Sequence, residues 1–164
     1  MQDKVKINIV RVLFALYCAL VVWTILFKLS FSIESIYGMQ RVNLIPFYFA
    51  FRPKFHINEI TENFLIFVPF GLYLKIMGVK SKNAVLTGLV FSFLLEICQY
   101  VFKIGTSDIT DIITNTAGTA FGVVIFVFAE KLFTDRAEKI SRITAFASTG
   151  LFAAAIFVLL ALSR

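Results

Sequence analysis

Long runs of apolar residues with at most one charge restrict the folds that this chain can adopt. One run extends from Val12 to Phe27, and another, from Ala84 to Phe102, contains Glu96 as its single charged residue. A bilayer core of about 30 Å is crossed by about 20 consecutive, mostly apolar helical residues. Phenylalanine accounts for 20 of the 164 residues and 59% of the chain is hydrophobic, a composition outside the range of soluble domains. The sequence therefore predicts an integral membrane protein.

Five segments are candidate membrane spans. We predict an all-α fold, a multi-pass transmembrane helical bundle that forms a single domain over residues 1–164. The first segment lacks a small-residue cleavage site, which favours a retained span over a removed signal peptide. The second contains Pro69 and Gly71 and is expected to be short and kinked, whereas Gly118 and Gly122 in the fourth have the spacing of a helix-packing seam. The five spans are residues 12–28, 62–78, 84–102, 109–129 and 143–162.

The distribution of basic residues predicts the orientation, because cytoplasmic loops are enriched in Lys and Arg. With an inside N-terminus, ten of the sixteen basic residues lie on the cytoplasmic side. These ten are Lys4, Lys6, Arg11, Lys75, Lys80, Lys82, Lys131, Arg136, Lys139 and Arg142. The net charge of +6 is then explained by topology and by contact with anionic membrane lipids. No nucleic-acid partner is expected.

The external segment between the first two spans contains an apolar and aromatic stretch. This stretch, RVNLIPFYFAFRP from Arg41 to Pro53, is too short to cross a bilayer. Residues 42–51 are predicted to form a re-entrant or interfacial element after the first span. A packed loop whose aromatic side chains cover the outer end of the bundle explains the composition equally well, and both interpretations stay open.

Acids and amides gather where three predicted spans meet the external surface. Two of these helices carry polar side chains at the spacing i, i+3, i+7, which places them on one face of each helix. The polar residues on this side are Glu62 and Asn63 in the second span, Glu96, Gln99 and Lys103 in the third, and Asp108, Asp111 and Asn115 in the fourth. We therefore predict an extracytoplasmic polar pocket at membrane level.

Each acid also has a structural explanation. Asp108 fits the N-cap of the fourth helix with Asp111 in the first turn, and capping is the favoured interpretation for Asp108. Glu96 lies too deep in its span to reach the surface easily, which favours a functional role. For Glu62 and Asn63, a solvated helix start and a binding role are equally compatible with the sequence.

The motifs that are missing narrow the chemistry. The sequence has no phosphate-binding glycine-rich loop with lysine, no Cys or His cluster for zinc and no nucleophilic serine elbow. Carboxylates and amides can instead hold a hard cation such as Mg²⁺ or Ca²⁺, bind amines or sugar hydroxyls, or act as an acid/base pair. The candidate metal ligands are Glu96, Asp108 and Asp111.

Four blocks between Asn43 and Gly122 resemble the successive motifs of the VanZ-like family. They are RVNLIPF, ENFLIFVPFGLYL, FSFLLEICQYVF and GTSDITDIITNTAGTAFG, in the order of the family. The resemblance implies a multi-pass protein of the bacterial cytoplasmic membrane. It also implies a link to the cell envelope, because the founding member is associated with resistance to teicoplanin, a lipid-tailed glycopeptide, more than to vancomycin.

Two classes of function follow. In the first, the pocket binds a glycopeptide, a cell-wall precursor or a lipid-linked polymer without catalysis. In the second, an intramembrane enzyme uses Glu96 and Asp111 as acid and base on a lipid-linked or cell-wall substrate. Binding is the simpler hypothesis, because recognition needs no nucleophile. The predicted ligand-binding residues are Asn43, Glu62, Asn63, Glu96, Gln99, Asp108, Asp111 and Asn115.

Overall fold

The computed structural model describes residues 2–27, 41–47, 56–104 and 106–133, and positions 139, 143, 146–147, 149–150 and 153–154. Its elements, in chain order, are helix α1 (Gln2–Phe27), strand β1 (Arg41–Asn43), helices α2 (His56–Ile76) and α3 (Ser81–Phe102), strand β2 (Thr106–Asp108) and helix α4 (Ile109–Phe133). The fold is mostly helical, as predicted. Two strands of three residues each accompany the helices.

Among the described residues, three helices are long and apolar enough to cross a membrane. They are α1 over Asn8–Leu26, α3 over Ser81–Phe102 and α4 over Ile109–Phe133. Large apolar side chains on α3 and α4, among them Phe93, Val101, Val124 and Phe128, are exposed on the outer surface of the bundle. Such a surface suits contact with lipid. The chain is a membrane protein, and the predictions of the first, third and fourth spans agree with these helices.

Helix α2 has a different character. Glu59, Glu62 and Asn63 occupy its first two turns. Its apolar part is therefore shorter than the apolar parts of the other three helices. It is not among the described helices that have the length and hydropathy of a membrane span. The helix continues through Pro69 to Ile76. Its middle lies in the core of the bundle, where Phe67, Phe70, Leu72 and Tyr73 are almost completely buried.

The predicted count of five spans is not confirmed. Most of the fifth predicted span, residues 143–162, lies outside the described residues. Two described positions in it contact α2: the ring centroids of Phe146 and Tyr73 are 6.2 Å apart, and the hydroxyls of Thr149 and Tyr73 are 3.1 Å apart. Tyr73 therefore connects the C-terminal part of the chain to the core.

Glycines allow α2 and α4 to pack backbone against backbone. A Cβ atom on Gly118 would overlap the carbonyl oxygen of Phe64, and one on Gly122 would overlap that of Val68. In return, a Cβ atom on Gly71 of α2 would overlap the carbonyl oxygen of Thr119. The helix-packing seam predicted for Gly118 and Gly122 is confirmed. Close approach of two helices at small residues is a common way to associate them in lipid.

The two strands join distant parts of the chain. They pair in parallel, with Asn43 beside Asp108. Helix α3 ends in a turn in which Lys103 has a positive φ of 56° and Ile104 N–H donates to Gln99 O, so the chain reverses and β2 follows at once. For the segment 42–51, the structure describes residues 42–47, of which the first two end β1 and the next four follow it. They do not confirm a re-entrant element, and 48–51 lie outside the described residues.

Candidate functional site

Four of the predicted polar residues meet at the end of the bundle where α2 and α4 begin and α3 ends. Glu62 and Asn63 of α2, Gln99 of α3 and Asp111 of α4 line one cavity of about 110 Å³. Its remaining lining residues are Thr24, Ile25, Glu59 and Ile66. We call this space the polar cavity. Four side chains that the sequence analysis assigned to one pocket, from three separate helices, thus line one space.

Gln99 is the most enclosed polar residue of this cavity. Its side chain is fully buried, and its Nε2 donates a hydrogen bond of 2.9 Å to the carbonyl oxygen of Ile25 on α1. Its Oε1 has no hydrogen-bond partner among the residues that the structure describes. A buried amide oxygen without a donor is costly, so Gln99 contributes an unused acceptor to the wall of the cavity.

Asp111 adds negative charge at the start of α4. It lies in the first helical turn and its side chain is 9% exposed. The positive end of the helix dipole stabilises a carboxylate there. Glu59 and Glu62 of α2 line the same cavity and are more open to solvent than Asp111. Three carboxylates therefore surround a space of a few water-sized volumes.

A second group of polar residues fastens β2 to its neighbours. Asp108 N–H donates 2.8 Å to Glu96 Oε2, and the Ser107 hydroxyl donates 2.6 Å to the backbone carbonyl of Glu96. The Asp108 carboxylate accepts from Thr110 N–H at 2.8 Å and from Asn43 Nδ2 at 3.0 Å. The predicted N-cap role of Asp108 is confirmed. The described bonds of Glu96 are structural: its side chain and its carbonyl hold the β2–α4 junction against α3.

The residues of this junction line a different space from the polar cavity. Asn43, Glu96 and Asp108 line a second and larger space of about 370 Å³, whose walls are mainly apolar and include Val42, Leu44, Phe93, Ile97 and Tyr100. We call it the apolar groove. Glu96 and Asp111, the predicted acid and base, thus line two different spaces.

The metal hypothesis finds no support in the described part of the chain. No group of three His, Cys, Asp or Glu residues is placed there to hold a metal ion. Glu96, Asp108 and Asp111 therefore do not form such a group. The oxygen of Asp108 that faces Asn43 and the one that faces Thr110 are both engaged in hydrogen bonds.

Asn115 lies deeper than the other predicted ligand-binding residues and lines neither space. It is 1% exposed, and its Nδ2 donates 2.9 Å to the hydroxyl of Ser92 on α3. Its position favours a role in connecting α4 to α3. The residue shares a helix face with Asp111, as its spacing predicted, but that face continues from the cavity into the core.

Sequence reasoning missed Thr24 and Glu59 of the polar cavity. Glu59 could have been found, because it lies three positions before Glu62 and shares its helix face. Thr24 gave no signal. It is a lone hydroxyl in an apolar helix that donates to Leu20 O, a bond that any threonine in a helix can make.

The chain is similar to known proteins over most of its length. A family model described as VanZ/LLP1 matches residues 14–130. Protein VanZ of Enterococcus faecium is 37% identical over 142 residues, which cover 83% of each chain. No solved structure matches this chain. The matched region contains every residue of both spaces described above.

Proposed function

This chain belongs to the VanZ/LLP1 family, and from that premise we propose that it is a cell-envelope protein that binds an envelope ligand in the polar cavity. The observation that carries the proposal is the meeting of Glu62, Asn63, Gln99 and Asp111 around one space. These side chains can recognise a ligand rich in hydrogen-bond donors. Recognition of this kind requires no nucleophile and no metal.

The proposed ligand is a glycopeptide of the teicoplanin type, a cell-wall precursor or a lipid-linked polymer. The apolar groove supports a ligand that carries a lipid, because it lies at the same end of the bundle and could hold an acyl chain beside the polar cavity. The proposal of teicoplanin as a ligand rests on membership of the family. Protection against that antibiotic is therefore the activity to test first.

Binding is favoured over acid/base catalysis by the surroundings of Glu96. A general acid or base must reach a proton of the substrate. The Oε2 atom of Glu96 instead accepts the backbone N–H of Asp108, and the carboxylate belongs to the apolar groove. Of the two predicted catalytic residues, Asp111 alone lines the polar cavity.

We further propose that the N-terminus lies inside and the polar cavity faces outward, as the distribution of Lys and Arg supports. Glu62→Cys and Lys82→Cys, each in a chain with Cys18 and Cys98 replaced by alanine, test this orientation. Both positions are exposed, and they lie near opposite ends of the helical hairpin formed by α2 and α3. In intact cells, a membrane-impermeant maleimide is expected to label the first variant and to label the second only after permeabilisation. The reverse pattern would place the cavity on the cytoplasmic side.

The function itself is tested by teicoplanin and vancomycin susceptibility in a sensitive Gram-positive host. Wild-type protein is expected to protect against teicoplanin more than against vancomycin. Asp111→Asn and Glu62→Gln are expected to weaken ligand binding about tenfold, the effect of losing a hydrogen bond to a charged group, and to reduce protection accordingly.

Glu130→Gln is the matched control, because Glu130 is an exposed acid at the other end of α4. Membrane levels of all four proteins are equalised by immunoblot. Equal protection by wild type, the cavity variants and the control would show that the cavity has no part in resistance. Absence of protection from well-expressed wild type would contradict the teicoplanin proposal.

A further inference from the structure

The lining of the polar cavity is unusually rich in acceptors. Glu59, Glu62 and Asp111 contribute carboxylates, while Asn63 contributes an amide. Carboxylates accept hydrogen bonds and donate none when ionised. An occupant that supplies donors and a positive charge complements this lining.

Gln99 points to the same chemistry independently of the acids. Its amide nitrogen donates to Ile25 O, which fixes the orientation of the side chain and leaves Oε1 without a donor among the described residues. The residue is fully buried and lines the cavity. Since an unmatched buried acceptor is destabilising, a bound donor that reaches Oε1 would gain more than one on an open surface.

A primary ammonium group meets these requirements. It has three N–H donors in three directions and one positive charge. A metal ion is a poorer match, because the described residues include no group of three His, Cys, Asp or Glu placed to coordinate one. The volume of about 110 Å³ has room for an ammonium head and a short alkyl stem, and Ile25 and Ile66 provide apolar wall for that stem.

We infer that the polar cavity binds a primary ammonium group, held by Gln99 Oε1 and the carboxylates of Glu62 and Asp111. The inference rests on the proposed function, because it names the chemical group by which the envelope ligand is recognised. Two sources can present this group at the membrane surface: an amine-bearing lipid headgroup or a water-soluble amine. Their shared chemistry is what the cavity selects.

The test uses the full chain in nanodiscs of phosphatidylcholine and follows its thermal unfolding midpoint. Hexylammonium chloride is expected to raise the midpoint with saturation. Hexanol, which has no charge, and trimethylhexylammonium, which has no N–H donor, are expected to have no saturable effect. Glu62→Gln is expected to weaken the apparent affinity for hexylammonium about tenfold, and Glu130→Gln to leave it unchanged.

Glu62 is exposed, so Glu62→Gln is expected to fold like wild type. A change in its hexylammonium affinity then reports on binding and not on misfolding. The inference is overturned if hexylammonium has no effect, if trimethylhexylammonium acts equally well, or if Glu62→Gln binds like wild type. Saturable stabilisation by MgCl₂ that hexylammonium reverses would overturn it in favour of a metal site.

A second set of nanodiscs separates the two sources. If phosphatidylethanolamine raises the midpoint of wild type but not of Glu62→Gln and competes with hexylammonium, a lipid headgroup occupies the cavity. If it does not compete, hexylammonium binding alone supports a water-soluble amine.

The proposed function fails separately from this inference. Loss of teicoplanin protection in the cavity variants without any hexylammonium binding would leave the function and remove the ammonium group. Hexylammonium binding with full protection in the variants would leave the ammonium site and remove the proposed function.

Discussion

Valine in place of Gly118 or Gly122 is expected to remove most of the folded protein from the membrane. At both positions a Cβ atom would overlap a backbone carbonyl of α2, so no rotamer change can relieve the clash. The helices would have to move apart along their whole contact. We expect a loss of about 3 kcal/mol or more in the free energy of unfolding, at the upper end of the cost of overpacking a core.

The measurement is the amount of monodisperse protein extracted from membranes and its unfolding midpoint. Ala117→Val is the matched control, since Ala117 is the neighbour of Gly118 on α4 and is exposed. It adds the same kind of side chain without meeting α2. Comparable yield and midpoint for Gly118→Val and Ala117→Val would contradict the close contact between α2 and α4.

This contact shows why part of the fold could be predicted from the sequence. The spacing of Gly118 and Gly122 is local, and close helix packing follows from it directly. Apolar runs of sufficient length likewise indicated α1, α3 and α4. Helix α2 was harder to interpret, because its polar first turns shorten its apolar part while its middle is buried by other helices.

The pairing of β1 with β2 could not be predicted. Asn43 and Asp108 are separated by 65 positions in the chain, and their hydrogen bond depends on the turn after α3. Strands of three residues carry no periodic pattern that differs from a loop. The predicted N-cap of Asp108 was accessible to sequence reasoning because capping is a local interaction.

The same distinction explains the candidate site. Shared helix faces and positions near the span ends predicted Gln99 and Asp111 at a common end of the bundle, and both line the polar cavity. They could not show that Glu96, three positions before Gln99, lines the apolar groove. The depth of Glu96 in its span favoured a functional role, which stays a prediction, and the described residues supply its carboxylate with a hydrogen-bond partner. One partner is a backbone N–H that becomes available only after the chain has reversed direction and formed β2.

The protein is therefore expected to keep its stability when Glu96 is replaced by an isosteric residue and to lose stability when it is replaced by an apolar one. In Glu96→Gln the amide oxygen can still accept the N–H of Asp108, and the bond from Ser107 is to the backbone carbonyl, which is unchanged. In Glu96→Leu that N–H is left without its acceptor at a partly buried position. We expect Glu96→Leu to lower the free energy of unfolding by about 2 kcal/mol, the cost of an unmatched buried polar group.

Unfolding midpoints and teicoplanin susceptibility, measured on both variants, separate the two possible roles of Glu96. If Glu96 positions β2 and α4, Glu96→Gln keeps both stability and protection, and Glu96→Leu loses both together. If Glu96 is an acid or base, Glu96→Gln loses protection while its stability is unchanged, since an amide cannot exchange the proton. The second pattern would restore the catalytic hypothesis, because a stable protein that fails only in its chemistry cannot be explained by a displaced junction.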